Sequence, residues 1–296
     1  MRYPSKILVY INISFLFSTF SIVAVDTLSN QVGSAGASCI GNSVIISDIH
    51  PGIGAIHTQS YYIQANQNYA SDLMDLNLPP SDIIDLLVEN DIHNNPGIRQ
   101  YGIVDLEENG RSSAFTGENC IDYKGHITGA TYSIQGNILL GEHVLNQMES
   151  NFLNTEGALS DKLMAAMQGA NIPGADTRCL SDSISSLSSF IRVANPEDNS
   201  NNVFLDLRVN NTLGQSEPID LLQSMYNDWL IDTTLFEAGD INQDSIVDIL
   251  DVVNLVNFIL GNIEFNLIET HLADCNNDEI INIQDLIIIA NYIINI

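Results

Sequence analysis

Two twelve-residue segments near the end of the chain repeat one spacing of oxygen-bearing side chains. The first begins at Asp240 and the second at Asp274, so the copies are offset by 34 residues. Side-chain oxygens recur at positions 1, 3, 5, 9 and 12, namely Asp240, Asn242, Asp244, Asp248 and Asp251, then Asp274, Asn276, Asp278, Asn282 and Asp285. Calcium is a hard cation that takes about six to eight oxygen ligands. The repeat therefore predicts two calcium sites.

The remaining positions of each segment refine this prediction. Position 7, Ile246 or Ile280, would contribute its backbone carbonyl oxygen, and position 9 often acts through a water molecule. Position 6, usually glycine, is Ser245 in the first copy and Glu279 in the second. Because a side chain is strained in a left-handed turn, we expect a reduced calcium affinity, most of all in the second loop.

Each segment is followed by apolar residues at helical spacing, so we expect two helices that bury one another. Their apolar faces include Val252, Val253, Leu255, Val256 and Ile259, then Leu286, Ile287, Ile288, Ala290, Ile293 and Ile294. No helix is recognisable before either loop, and position 12 is Asp rather than Glu. Both features differ from an EF-hand.

This loop–helix duplication, over residues 240–296, resembles a type I dockerin. The resemblance implies bound Ca²⁺ and a cohesin-like partner on a scaffold or surface protein. Type I dockerins often carry Ser and Thr at positions 10 and 11, whereas this chain has Ile249-Leu250 and Ile283-Gln284. The partner specificity of well-known cellulosomes therefore does not carry over, although exposed apolar residues suit a protein interface. Dockerins often accompany polysaccharide-degrading enzymes, but no carboxylate pair here fits a glycosidase centre.

The beginning of the chain has the pattern of a signal peptide. Arg2 and Lys6 form a positive region, and Ile7–Phe17 is mostly apolar but too short to span a bilayer. We therefore expect a protein that is exported, either free outside the cell or attached to its surface. No later segment is long and apolar enough to cross a membrane, so the mature chain is expected to have no membrane span.

Two cleavage sites fit the end of this signal. Cleavage after Ser18 leaves Thr19 as the new N-terminus, which gives a signal peptide of residues 1–18. Cleavage after Ser21 fits the small-x-small rule slightly better and leaves Ile22. The sequence leaves both open.

Composition excludes several classes of function. The 296 residues carry a net charge of −28 with only nine Lys and Arg, which argues against nucleic acid and anionic membrane surfaces. An oxidising compartment permits disulfides. Because Cys275 lies inside a calcium loop, the pair is expected among Cys39, Cys120 and Cys179, with the choice left open.

Residues 19–230 mix strand and helix patterns. Strands are expected at 20–25, 44–49, 55–63, 99–106, 112–115, 131–138, 190–193 and 203–209. Helices are expected after a Ser81 cap and around Val144–Phe152, Leu163–Met167 and Ile219–Trp229. Strand pairs joined by hairpins indicate an α+β fold with antiparallel sheet. A linker, 231–239, would join this domain to the calcium-binding module at 240–296.

An ordered set of short motifs resembles an uncharacterised Ntn-hydrolase-like family, domain of unknown function 1028. The motifs are Phe20–Asp26, Thr58-Gln59, Tyr101–Asp105, Ala114–Gly117, Cys120–Asp122, Gly125-His126 and Tyr132–Asn137. They cover about Thr19–Trp229 in the expected order. The resemblance implies an αββα sandwich, in which two antiparallel sheets lie between helix layers.

The same resemblance implies chemistry at the start of the mature domain. Members often begin Thr-Phe-Ser-Ile-Val-Ala, which aligns Thr19 with the N-terminal nucleophile of Ntn hydrolases, enzymes that cleave amides. Its own α-amine would serve as the base, and Asn137 or a nearby backbone N–H would supply the oxyanion hole. His126 and Asp122 are weaker candidates for acid or base. The alternative is a non-catalytic binding or structural module outside the cell, attached to a surface or a polysaccharide-degrading assembly.

Overall fold

The computed structural model describes residues 19–294, so the expected signal peptide, 1–18, lies outside the described residues. The chain divides into two compact units, with the boundary between Gln223 and Ser224. This boundary lies inside a helix, Pro218–Asp232, and the domain bounds expected from sequence stay a prediction. Among the described residues no helix combines the length and hydropathy needed to cross a membrane.

From Thr19 onward, the first unit contains ten strands and four helices, and a fifth helix crosses its end. The strands are β1 (Thr19–Asp26), β2 (Gln31–Ser38), β3 (Ser47–His50), β4 (Gly54–Ser60), β5 (Arg99–Asp105), β6 (Arg111–Thr116), β7 (Gly125–Gly129), β8 (Tyr132–Asn137), β9 (Ser188–Ala194) and β10 (Leu205–Val209). The helices are α1 (Gln64–Asp75), α2 (Pro80–Glu89), α3 (His143–Asn154), α4 (Leu159–Gly169) and α5 (Pro218–Asp232).

These elements form four layers. One sheet has the order β10-β9-β2-β1-β8-β7 and the other β3-β4-β5-β6, and every strand pair is antiparallel. Helices α3 and α4 pack on the six-stranded sheet, and α1 and α2 pack on the four-stranded sheet. Apolar side chains such as Val23, Val32 and Val104 fill part of the space between the sheets. The expected α+β fold and αββα sandwich are confirmed.

Strand β2 was missed because its sequence, QVGSAGAS, is rich in small residues. The structure shows why small residues are required there. A Cβ added at Gly33 would lie 2.5 Å from a Leu163 side-chain carbon on α4, and one at Gly36 would lie 2.9 Å from the Ser21 Cβ on β1. Close approach of neighbouring elements thus replaces the apolar alternation that identifies most strands.

Two other local expectations were wrong. Residues 43–46 form a short 3₁₀ turn instead of the start of a strand. Ser81 does not cap α2, because Pro80 occupies the first helical position and Ser81 Oγ donates to Asp82 at 3.3 Å. Proline suits that position since it lacks the N–H that would otherwise need a partner.

The disulfide joins Cys39 to Cys179, with 5.7 Å between their Cα atoms, while Cys120 is buried as a free thiol. Next to this disulfide, Asp176 and Arg178 form an ion pair at 2.8 Å. Asp176 also accepts the Cys39 N–H at 2.7 Å. The carboxylate therefore bonds to Cys39 at one end of the disulfide and to Arg178, the residue before Cys179, at the other.

His50 on β3 is held between two carboxylates, so stability should depend on pH. Its ring lies 2.7 Å from Asp75 on α1 and 3.5 Å from Asp48. Burial opposes the charge, but bonding to Asp48 and Asp75 raises the His50 pKa above its ordinary value of 6.5. The stabilisation that protonated His50 provides is therefore fully present below pH 6.5 and is lost as the pH rises through the raised pKa.

We expect the wild type to have a higher Tm than a His50→Gln variant at pH 5.5. This difference in Tm should be smaller at pH 9. Since Asp75 is 63% exposed, the effect should be about 1 kcal/mol, or about 2–4 °C in Tm. Thermal melts in CaCl₂ at both pH values measure it. A difference independent of pH would contradict this account.

The second unit is built from short helices around a small core. Helices α6 (Ile249–Ile259), α7 (Leu267–Ala273) and α8 (Ile283–Ile294) pack around Ile241, Leu255, Ala273 and Ile289. The two helices that follow the loops, α6 and α8, contact each other as expected. The expectation that no helix enters either loop was wrong for the second loop, because α7 ends at Ala273, directly before Asp274. Only seven residues long, α7 lacks the periodicity that identifies a helix.

Candidate functional site

Thr19 is the first residue of β1, a central strand between β2 and β8, and is fully buried. It lies opposite Asn137, the last residue of β8. Within the described chain, Thr19 Oγ1 is a buried polar atom that makes no hydrogen bond. A buried hydroxyl without a partner is costly in a folded protein, so it marks a candidate functional group.

Three buried amides from three strands surround the backbone next to Thr19. Gln59 Nε2 on β4 donates to the Thr19 carbonyl oxygen at 3.3 Å and to Gln100 Oε1 at 2.8 Å. Asn137 Nδ2 also donates to Gln100 Oε1, at 3.0 Å. Gln100 on β5 in turn donates to the Gly136 carbonyl oxygen at 2.8 Å. We call Gln59, Gln100 and Asn137 the amide cluster, and it fixes the strand ends at Thr19.

Gln100 is the hub of the amide cluster, so its replacement should be costly. Gln100→Leu would leave the amides of Gln59 and Asn137 without their shared acceptor inside the protein. Each loss costs about 1–3 kcal/mol. Urea denaturation should show this loss as a lower free energy of unfolding. The control is Gln215→Leu, a substitution at an exposed position. Equal stabilities for the two variants would contradict the role of the hub.

A buried histidine extends this polar core. His57 on β4 contacts Ser21 Oγ at 2.9 Å through Nδ1 and Ser34 Oγ at 2.6 Å through Nε2. Ser21 Oγ donates to Gln59 at 2.7 Å, which connects His57 to the amide cluster. Burial, with a smaller contribution from Arg192, lowers the pKa of His57 to about 3. His57 is therefore a neutral structural link near neutral pH.

The weaker candidates lie at other positions. His126 on β7 bonds to Thr116 Oγ1 at 2.9 Å, and burial lowers its pKa below the ordinary value. Asp122 is largely exposed and lies 3.7 Å from Lys124. In the described chain neither residue hydrogen-bonds to Thr19, so Asn137 is the sequence-predicted residue that the fold brings opposite the candidate nucleophile.

In the second unit, the carboxylates at positions 1 and 12 organise the first loop. Asp240 accepts the Ser245 N–H at 2.9 Å. Asp251 is fully buried and accepts the N–H groups of Asn242 at 3.0 Å and Asp248 at 2.8 Å. The carboxylate at the start of α6 therefore ties both ends of the loop to the helix.

The second loop repeats these bonds. Asp274 accepts the Glu279 N–H at 2.9 Å. Asp285 is fully buried and accepts the N–H groups of Asn276 at 3.3 Å and Asn282 at 2.9 Å. In both segments the carboxylates at positions 1 and 12 therefore accept from backbone N–H groups at the same loop positions.

Position 6 has the predicted left-handed conformation in both loops. The φ angle is 71° at Ser245 and 64° at Glu279. Neither residue is glycine, so both loops carry the expected steric strain. The prediction of a strained position is confirmed, and its effect on calcium affinity stays a prediction.

The donor set of each loop fits a hard cation. All side-chain donors are oxygens, and residues 224–294 contain no Lys or Arg to neutralise the buried Asp251 and Asp285. In the described residues, no three His, Cys, Asp or Glu side chains already meet as a metal cluster. A cation would therefore need the Asn242 or Asn276 amide, a backbone carbonyl and water in addition to the carboxylates.

Position 9 of each loop caps the following helix. Asp248 Oδ1 accepts the Leu250 N–H at 2.7 Å, and Asn282 Oδ1 accepts the Gln284 N–H at 2.7 Å. The position 9 oxygen therefore stabilises the beginning of the helix that follows its loop, α6 for Asp248 and α8 for Asn282. This arrangement suits the expected indirect contact of position 9 through water.

One solved structure shares this fold with a TM-score above 0.5, and two others match with lower scores. Protein SPO2555 from Silicibacter pomeroyi, described by the DUF1028 family model, is 23% identical with a TM-score of 0.59, over 71% of this chain and 88% of that chain. An Anbu Gly-1 mutant from Hyphomicrobium sp. strain MC1 (10% identity, TM-score 0.41) matches over 72% of this chain and 94% of its own. Anbu from Yersinia bercovieri (10% identity, TM-score 0.37) matches over 72% of this chain and 95% of its own.

Family models match both parts of the chain. No curated protein is significantly similar in sequence. Residues 238–294 match the dockerin type I domain. Residues 19–222, more than half of the chain, match the Family of unknown function (DUF1028). The chain therefore belongs to the DUF1028 family and carries a type I dockerin domain at its C-terminal end.

Proposed function

We propose that the protein is a secreted N-terminal-nucleophile amidohydrolase that attaches to a cohesin-type partner through a calcium-loaded dockerin. One observation carries the catalytic part. The Thr19 hydroxyl lies at the first position of a central strand, buried and without a hydrogen-bond partner, beside the amide cluster. An N-terminal threonine needs this placement if its hydroxyl and its own α-amine are to act on one substrate.

The proposal requires cleavage after Ser18, and the packing of β1 supports that site. Cleavage after Ser21 would remove Phe20, one of the largest fully buried side chains. It would also remove Ser21, which bonds to Gln59 at 2.7 Å and accepts from Gln135 at 2.7 Å. Losing a buried aromatic residue costs about 3–5 kcal/mol, so a chain that begins at Ile22 should be severely destabilised.

The reaction would proceed in two halves. The Thr19 hydroxyl attacks the amide carbonyl carbon while the Thr19 α-amine takes the hydroxyl proton. The C–N bond then breaks, the proton passes to the leaving amine, and an ester to Thr19 remains. Water next attacks this ester and releases the acid, with the same amine accepting and returning the proton. Because a free α-amine has a pKa of about 8 and must be unprotonated to act as the base, the rate should rise with pH up to that range.

Asn137 is placed to help stabilise the negative oxygen formed in each half. It lies opposite Thr19, and its amide nitrogen is held by Gln100 Oε1 at 3.0 Å. Preorganised donors of this kind are worth about 3–4 kcal/mol in other hydrolases. We propose that Asn137, or a neighbouring backbone N–H, serves as the oxyanion donor.

A peptide epoxyketone provides the test of this catalytic proposal. This electrophile bonds to a hydroxyl and an amine of the same residue, so it reports an N-terminal threonine. A panel of such peptides should add the mass of the intact probe to Thr19 in the secreted protein. If a chain shown to begin at Thr19 reacted with none of them and cleaved no acyl-peptide, the alternative of a non-catalytic binding module would stand.

The docking proposal assigns calcium and a partner to the second unit. Ca²⁺ would be held at positions 1, 3, 5, 7, 9 and 12 of each loop, where it would offset the charge of the carboxylates. Those residues are Asp240, Asn242, Asp244, Ile246, Asp248 and Asp251, then Asp274, Asn276, Asp278, Ile280, Asn282 and Asp285. Calorimetric titration of the full chain should show two calcium ions bound per molecule, and no uptake would contradict the assignment.

A further inference from the structure

The dockerin unit has an unusual distribution of charge. Residues 224–296 contain thirteen Asp and Glu and no Lys or Arg. Eight of the carboxylates lie within the two loops, Glu279 at position 6 of the second among them, and five lie elsewhere: Asp228, Asp232, Glu237, Glu264 and Glu269. Thirteen carboxylates with two divalent cations leave a side-chain charge of −9. Metal binding would therefore not remove the negative field of this unit.

An apolar surface lies within this negative field. At the beginning of α6, Ile249, Leu250 and Val253 are 62%, 53% and 49% exposed. At the equivalent positions of α8, Ile283 and Ile287 are 58% and 52% exposed. We call these five residues the aliphatic face. Within each helix these side chains lie one turn apart, and exposed apolar patches of this kind mark protein interfaces.

The aliphatic face offers few hydrogen-bonding groups. Positions 10 and 11 are Ile249-Leu250 in the first copy, so neither has a side-chain hydroxyl. In the second copy Gln284 Oε1 accepts from Asn276 Nδ2 at 3.3 Å, which ties the one amide back to its own loop. A partner must therefore gain its binding energy from apolar contact in the centre and from charge at the edge.

We infer that the aliphatic face binds a cohesin-type surface with an aliphatic centre and a rim of Lys and Arg. This inference rests on the proposed docking function and specifies the partner's chemistry. The partner's apolar centre is inferred from the exposed aliphatic side chains that it would cover. Its basic rim is inferred from the negative charge of the dockerin unit, which has no Lys or Arg. A partner with an acidic rim meets like charge, which costs several kcal/mol.

The test uses the full chain, loaded with calcium, and purified type I cohesin modules sorted by the charge that rims their docking surface. Modules with a basic rim should bind at least about 100-fold more tightly than modules with an acidic rim. Their association rate should fall at least about 10-fold between 50 and 500 mM NaCl at fixed CaCl₂. Surface plasmon resonance measures both quantities.

Two variants separate the apolar and charge contributions. Leu250→Asp should weaken binding at least about 10-fold, whereas Leu28→Asp, at a 95% exposed site in the first unit, should not. Glu237→Lys combined with Glu264→Lys should slow association with basic-rimmed modules at low salt. The double change of the same residues to Asp keeps the charge and is the matched control.

The outcomes distinguish the two levels of the proposal. If no cohesin module bound the calcium-loaded chain, the docking function itself would be wrong. If modules bound regardless of rim charge, salt and the Lys substitutions, docking would stand and the inferred partner chemistry would be overturned. Binding that follows rim charge and requires Leu250 supports the inference.

Discussion

A Thr19→Ala variant, produced so that the mature chain begins at the substituted residue, is expected to lose epoxyketone labelling completely. Hydrolysis of any amide that the wild type cleaves should fall by at least about 10³-fold. The reason is that the proposed nucleophile and the acyl acceptor are one atom, Thr19 Oγ1, and alanine has no replacement for it. Intact-mass measurement and amide turnover test the two expectations on one sample.

Thr58→Ala is the matched control for this experiment. Thr58 lies on β4, is 2% exposed, and also has a buried hydroxyl without a hydrogen-bond partner among the described residues. The two variants therefore remove the same group from similar surroundings, but only Thr19 is at the candidate N-terminus. Labelling that persisted in Thr19→Ala, or disappeared equally in Thr58→Ala, would contradict the assignment.

Removal of calcium is expected to unfold the dockerin unit. Asp251 and Asp285 are fully buried carboxylates, and residues 224–294 have no Lys or Arg to pair with them. Each carboxylate accepts backbone N–H groups but has no paired cation, and burying a charge without one costs several kcal/mol, while the core around Leu255 and Ile289 is small. Excess chelator should therefore abolish the helical signal of α6 and α8 and leave the melting of the first unit unchanged.

Substitution at position 12 should reproduce this effect in one loop. Asp251→Asn removes a buried carboxylate oxygen and should weaken calcium binding to the first loop by about 10–100-fold. Asp228→Asn changes an exposed carboxylate outside the loops and is the control. Circular dichroism during calcium titration measures both variants. If chelator left the helix content and the melting of the unit unchanged, the unit would fold without the ion.

The parts of the molecule that the sequence predicts are those with local causes. Each loop of the repeat is encoded in twelve consecutive residues, so the repeat at Asp240 and Asp274 could be identified without any tertiary information. The exposed Ile249 and Ile283 follow from the same register. Helix α2 was recognised because apolar residues recur at helical spacing, although its first residue is Pro80.

The amide cluster could not be predicted, because it joins side chains from three separate strands. Gln59, Gln100 and Asn137 are each unremarkable in sequence, and only strand pairing brings them beside Thr19. His57 was missed for the same reason, since its serine partners come from β1 and β2.

Elements with weak patterns were missed for local reasons instead. Strand β2 is made of small residues because α4 and β1 approach it closely. Helix α1, QANQNYASDLMD, has mostly polar residues and buries apolar side chains such as Ala70, Leu73 and Met74. Strand β7, at the edge of the six-stranded sheet, contains only Gly125–Gly129. In each case packing, rather than periodicity, determines the element.

The mass of the N-terminal peptide of the secreted protein tests the central claim most directly. The account predicts that the mature chain begins at Thr19, because β1 uses Phe20 and Ser21 in its packing and the nucleophile needs a free α-amine. A mature chain that begins at Ile22 would lack the nucleophile and contradict the proposed catalysis.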